Sequence, residues 1–336
     1  MTPLVLQLIV TLLIILVAAE VFTNALEHLG EKLKISEGVT GSLFAAVGTA
    51  LPETLVPLLA LFAGTTNVNT NEEIGVGAIL GAPLMLSTLS TCLMAIAILR
   101  RRKFTGWVHP ERSGFHRDLH FFLIAFVIAA AAMYVPREHN FIRVALSAGL
   151  VLTYFIYILL TLRASRHLVD AGHGTEAEDK MFLCRIGLPE NMVTILLQLI
   201  VGLALLVAGA KGFIHGVEGL SQMLGISALL LSLLIIPIAT ELPEKVNSIL
   251  WIRRGKDTLA FGNITGAMVF QGTLLPAIGI MLTPWEPRIE VLSGVIITLI
   301  AAAWLRINWR SHGLPVWVLF GNGALYIIYL TITLSR

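Results

Sequence analysis

Residues 19–53 read AEVFTNALEHLGEKLKISEGVTGSLFAAVGTALPE, and residues 210–244 read AKGFIHGVEGLSQMLGISALLLSLLIIPIATELPE. Laid over one another at a shift of 191, they share Phe22/Phe213, Glu27/Glu218, Ile35/Ile226 and Ser36/Ser227. Both close on the same pattern, Thr49/Thr240 followed by Leu51, Pro52 and Glu53 against Leu242, Pro243 and Glu244. After a six-residue difference in loop length the correspondence resumes at Gly77/Gly262 and Gly81/Gly266. Matching of this density is well beyond what a Leu- and Ala-rich composition gives by chance, so the chain carries an internal duplication.

The composition says which solvent this duplication was built for. Of 336 residues, 56% are hydrophobic and 13% charged, with a mean hydropathy of +0.85. A soluble domain carries about 25% charged residues. The figures exclude a cytosolic enzyme and a disordered chain. A net charge of +2 gives no polyanion a reason to bind, so nucleic acid is not an expected partner. Cys92 lies in an apolar run and Cys184 in a polar loop, which makes no disulfide framework. A polytopic membrane protein remains, with lipid as its surroundings.

Crossing the bilayer core takes about 20 apolar residues in a helix. Ten runs qualify, at 4–26, 38–63, 74–99, 119–135, 141–162, 192–214, 227–252, 258–283, 289–306 and 314–334. They predict an all-α fold of ten transmembrane helices. A first five-helix repeat occupies 1–162, a connecting loop 163–190 and a second five-helix repeat 191–336. The opening MTPLVLQ has no basic residue ahead of its apolar stretch, so the first run is read as a span rather than a signal peptide.

Lysine and arginine mark the cytoplasmic side. With the N-terminus outside, 17 of the 23 basic residues fall in cytoplasmic connections, the run RRRK at 100–103 among them, and 4 fall outside. The connection 163–190 is then cytoplasmic, in what is expected to be a prokaryotic cytoplasmic membrane. The loops that follow the paired motifs differ in charge. TTNVNTNEE after span 2 has two acids and no base, and IRRGKD after span 7 has three bases. The same motif therefore enters the membrane from opposite sides. Inverted repeats with matching helix interruptions point to a secondary transporter and to its binding site near the bilayer midplane.

Each repeat places a Pro-Glu pair deep in an apolar run, GTALPET at 48–54 and ATELPEK at 239–245. A carboxylate there costs at least about 2.5 kcal/mol, which calls for a partner or a bound cation. Proline removes a backbone donor and so releases carbonyls just upstream. Thr49 and Thr240 fall four residues before Glu53 and Glu244, on the same helix face. Hydroxyls, carboxylates and freed carbonyls make an all-oxygen site suited to a hard cation such as Ca²⁺ or Na⁺. Glu20 and Lys211 occupy mirrored positions in spans 1 and 6, with a structural pairing slightly favoured over a pathway role. Lys245 follows Glu244 about 100° around the helix, the place of a snorkelling or pairing residue. His109, His116 and His120 read as loop histidines rather than a metal site.

These motifs resemble the two signature motifs of the calcium/cation antiporter superfamily, to which the sodium/calcium exchangers belong. VAGAKGFIHGVEGLSQMLGISALLLSLLIIPIATELPE at 207–244 resembles the second repeat of that family almost throughout, and LAFGNITGAMVFQ at 259–271 its following helix. The resemblance implies a ten-helix inverted fold, no enzymatic activity, no cofactor, and antiport of Ca²⁺ against Na⁺ or H⁺. It implies Thr49, Glu53, Thr240 and Glu244 as cation ligands, with Glu241 and Gln271 as further candidates and backbone oxygens near Ala46 and Pro237. Spans 2, 3, 7 and 8 would form the site, and spans 1 and 6 would slide past them.

The pattern departs from the family at several positions. Ala50 and Glu241 stand where serine is usual, Ala82 and Ala267 replace serines, and Leu86 replaces an asparagine. The expected site is thus lopsided, which leaves proton-coupled or monovalent-cation exchange as an alternative. A non-transporting relative and a membrane enzyme with intramembrane carboxylates complete the alternatives. Inorganic cations and lipid are the expected partners, and the chain is expected to be a monomer or weak homo-oligomer.

Overall fold

The computed structural model describes residues 2–32, 51–169, 180–311 and 313–335. Eight of the described helices are long and apolar enough to cross a membrane, and two shorter apolar helices lie at 52–63 and 228–238. Their outward surface is apolar. Leu6, Ile9, Val10, Leu13 and Val17 of the first helix are all exposed, as are Phe141, Leu152 and Phe155. Such a surface suits lipid and would aggregate in water.

The chain forms two compact units, Met1–Thr66 with Ile158–Gly225, and Asn67–Tyr157 with Ile226–Arg336. Each unit therefore draws on both sequence repeats.

In the first unit, α1 (Thr2–Lys32), α2 (Leu51–Ala63) and α8 (Met192–Leu224) pack together, and the boundary with the second unit falls within α6 (Asn140–Val169). Asn191 caps α8 by accepting from Thr194 N at 2.9 Å, and Gly225 ends it in the left-handed conformation (φ 65°). Helices α1 and α8 run antiparallel, with Leu4, Leu8, Thr11, Ile15 and Phe22 set against Gly219, Gly216, Gly212, Gly209 and Gly202. A β-carbon on Gly202 would lie 3.1 Å from the Phe22 backbone, so glycine sets the approach there. Polar groups fix the register: Gln7 Nε2 donates to Gly212 O at 2.9 Å, and Gln198 Nε2 to Val21 O at 2.9 Å. The short helix α7 (Phe182–Arg185) docks through Phe182 N to Asn24 Oδ1 at 3.2 Å.

The second unit holds α3 (Val68–Met85), a π-helical turn at Leu86–Ser90, α4 (Thr91–Arg102) and α5 (Arg112–Ala132). From the second half it holds α9 (Ala228–Thr240), α10 (Leu242–Arg253), α11 (Asp257–Leu282), α12 (Ile289–Ile307) and α13 (Val316–Leu334). Helix α3 packs on α9 with Gly81 at the contact, where a β-carbon would meet the Leu233 carbonyl oxygen at 2.5 Å. Leu84, Met85, Ile297, Tyr326 and Tyr329 form a buried cluster from α3, α12 and α13. Asn322 Nδ2 donates to Ser87 O at 2.7 Å and so satisfies a carbonyl of the π turn. Arg102 grips Asp257 with two hydrogen bonds of 2.5 and 2.7 Å, tying the end of α4 to the start of α11. A two-stranded antiparallel pair, β1 (Trp107–Val108) with β2 (Leu314–Pro315), lies beside that clasp.

The run predicted as a single span at 227–252 is interrupted. Helix α9 stops at Thr240, Glu241 takes φ −81° and ψ 5°, and α10 starts at Leu242 with Pro243 in its first turn. Proline is preorganised for a helix start but cannot donate to the carbonyl four residues before it, and that is the physical cause of the break.

Candidate cation site

The break in the second unit concentrates the chemistry. Glu241 sits at the junction with no exposed surface, Glu244 in the first turn of α10 is 4% exposed, and Thr240 at the end of α9 is 2% exposed. Each glutamate offers a carboxylate oxygen within 4.8 Å of the other's. Helix α11 supplies two amides. Gln271 Nε2 donates to Glu241 Oε1 at 2.5 Å, and Asn263 Nδ2 donates to Glu244 O and to Ser248 Oγ, both at 3.0 Å. Asn263 thereby steadies the first turns of α10.

Acceptors exceed donors here. Glu241 Oε2 and Gln271 Oε1 are buried and receive no hydrogen bond among the described residues. Thr240 turns its hydroxyl hydrogen to Ile236 O at 3.2 Å, so the lone pairs of its oxygen remain as acceptor sites. Two like charges about 4 Å apart repel by about 4 kcal/mol at an effective dielectric constant of about 20. Buried carboxylates this close are therefore stable only with compensating positive charge or with a proton on one of them. The set is all oxygen, from carboxylates, an amide and a hydroxyl, and suits hard cations rather than soft ones.

One compensating charge is built in. Lys245 is 5% exposed, and its Nζ donates to Pro237 O at 2.8 Å. Its position after Glu244 suggested snorkelling or pairing; it does not snorkel, and it binds a backbone carbonyl just ahead of the break. Backbone oxygen near Pro237 was also an expected cation ligand.

Of the other expected site residues, Glu53 belongs to the first unit, in the first turn of α2, and is 3% exposed. Thr49, with Ala46 and Ala50, lies outside the described residues. Glu20 and Lys211 are both exposed on the faces of α1 and α8 that turn away from their mutual contact, and neither forms an ion pair among the described residues. The pairing favoured for them from sequence is absent there. His116 packs against Trp309 at 5.2 Å between ring centroids.

Two buried polar groups carried no sequence signal. Asp118 in α5 accepts from Thr265 Oγ1 at 2.7 Å and from Tyr157 Oη at 3.1 Å, joining α5, α6 and α11. Arg143, one of the four basic residues counted from sequence on the outer side, is 3% exposed and donates to the carbonyls of Ile280, Thr283 and Pro284 at the C-terminal end of α11. A lone charge flanking an apolar run was the only available hint, and it does not distinguish a cap from an orientation signal.

Comparisons with known proteins agree with this architecture. The profile of a family described as sodium/calcium exchanger protein matches residues 3–163 and 194–335. The inner membrane protein YrbG of Escherichia coli (strain K12) is 25% identical over 328 residues, covering 96% of this chain and 94% of YrbG. The crystal structure of the H⁺/Ca²⁺ exchanger CAX superposes with a TM-score of 0.73 at 17% identity, over 97% of this chain and 81% of that one. The sodium-calcium exchanger NCX_Mj superposes with a TM-score of 0.59 at 20% identity, over 98% of this chain and 99% of the other. At these identities the two superpositions speak for the fold, an inverted-repeat all-α membrane fold.

Proposed function

Because the chain belongs to the sodium/calcium exchanger protein family, we propose that it is a secondary active antiporter exchanging Ca²⁺ for Na⁺ or H⁺ by alternating access to one site. The chain is an integral multi-pass membrane protein of an exchanger family. The observation that carries the finer reading is the buried pair Glu241 and Glu244, with carboxylate oxygens within 4.8 Å at a break between two membrane helices. The ligand set we propose is Thr49, Glu53, Thr240 and Glu244, with Glu241 and Gln271 alongside. The duplicated sequence supports it by relating Thr49 and Glu53 to Thr240 and Glu244.

An ion gradient suffices as the energy source. One elementary charge moved across 100 mV is worth about 2.3 kcal/mol, so a sodium or proton gradient with the membrane potential drives uphill movement without ATP. With the N-terminus outside, the two motifs face opposite sides of the membrane, as alternating access needs. The test is thermal unfolding of the purified protein titrated with calcium. Calcium is expected to raise the transition temperature in the unaltered protein and to lose that effect in Glu244→Gln. An equal rise in both would remove Glu244 from the site.

A second reading couples calcium to protons alone, and Glu241 is the observation that favours it. It is a further carboxylate with a buried oxygen that receives no hydrogen bond among the described residues. Flux indifferent to sodium but abolished when the pH gradient collapses would select this reading.

A further inference from the structure

Among the aligned positions at which the second half of the chain differs from the first, three are polar substitutions near the break: Glu241 where the first has Ala50, Lys245 where it has Thr54, and Gln271 where it has Leu86. The second repeat thus carries an acid and a base, four residues apart, that the first lacks at the mirrored places. In the structure the Lys245 side chain does not leave the helix axis for water. It runs back toward the N-terminal side, the direction in which helical side chains tilt. It crosses the break at Glu241 and donates to Pro237 O at 2.8 Å, with Met85 Sδ 3.9 Å from Nζ. Met85 is fully buried and stands next to Leu86, the position that mirrors Gln271. On that side the ammonium meets a backbone carbonyl and a thioether, where the mirrored helix offers an amide.

We propose that the Lys245 ammonium is a tethered cation that fills a monovalent-ion subsite at the Pro237 carbonyl. It balances the added carboxylate of Glu241 and excludes a free monovalent ion from that place. The inference rests on the cation-site reading of Glu244 and deepens it by assigning a specificity-determining residue. Three observations converge. The carbonyl just ahead of the break, a natural cation ligand, is occupied by Nζ. Met85 at the end of α3 and Leu86 at the start of the π turn offer no side-chain oxygen there, and Met85 Sδ lies 3.9 Å from Nζ. Lys245 and Glu241 stand where the first repeat has Thr54 and Ala50, so the base that distinguishes the second repeat offsets the acid that distinguishes it.

A fixed positive charge in a buried site opposes a second one beside it. Removal of the ammonium should therefore raise the affinity for a free monovalent cation by at least about tenfold. The experiment is thermal unfolding of the purified full-length protein titrated with sodium and, separately, with calcium. Lys245→Ala, Lys245→Gln and Lys245→Arg are compared with the unaltered protein. The Gln variant retains an amide donor for Pro237 O and so guards against a variant that fails to fold.

The expected result is a half-maximal sodium concentration at least about tenfold lower in the Ala and Gln variants, and unchanged in the Arg variant. Sodium curves of the folded Ala and Gln variants that superimpose on the unaltered protein would overturn the proposal. The calcium arm separates the two readings. Absence of calcium stabilisation in the unaltered protein counts against the calcium site, whatever the sodium curves of the variants show.

Discussion

At the residue scale, the arrangement turns on what each buried acid is given as a partner. Gln271 holds Glu241 through a 2.5 Å hydrogen bond, and Asn263 binds the Glu244 carbonyl. A hydrogen bond to a charged group contributes about 1.5–3 kcal/mol. Gln271→Leu is therefore expected to lower unfolding stability by about that amount in chemical denaturation, while Asn263→Ala, which spares both carboxylates, lowers it less. Equal losses would mean that Glu241 does not depend on Gln271. Glu244 and Thr240 were legible as candidates from spacing, because an intramembrane acid in an apolar run is rare, whereas Glu241 and Gln271 became candidates only through the family resemblance. The partner of Lys245 was not legible. Helical spacing puts its Cα about 100° from Glu244, but the break lets its side chain reach back past Glu241, and no linear pattern encodes that.

At the element scale, proline and glycine decide how the helices are divided and how closely they approach. Pro243 splits the apolar run at 227–252 into α9 and α10, a division that hydropathy averaged over the whole run does not register. The glycines of α8 were equally silent in a hydropathy reading, yet they set its contact with α1. Gly202→Ala would place a β-carbon 3.1 Å from the Phe22 backbone, an atom that cannot swing aside as a side-chain tip can. Overpacking of this kind costs about 1–3 kcal/mol. The expected outcome is a lower thermal transition for Gly202→Ala and little change for Gly149→Ala, since Gly149 has open space around its missing β-carbon. A Gly202→Ala protein as stable as the unaltered one would show that α1 and α8 are not held at glycine distance.

At the scale of the whole molecule, a sequence repeat and a structural unit are different things. The sequence divides five spans from five, whereas the compact units each combine helices from both halves. Duplication leaves its trace along the chain, and packing follows apolar faces wherever the chain brings them together. The inverted family fold was therefore readable from the repeat and the loop charges, while the grouping of helices had to come from the structure. The central claim is that gradient-driven calcium exchange passes through the mirrored glutamates. Calcium flux in proteoliposomes under an imposed sodium gradient, and then a proton gradient, tests it most directly. The account predicts uptake driven by one of these gradients without ATP and abolished in both Glu53→Gln and Glu244→Gln; undiminished flux in the two variants would contradict it.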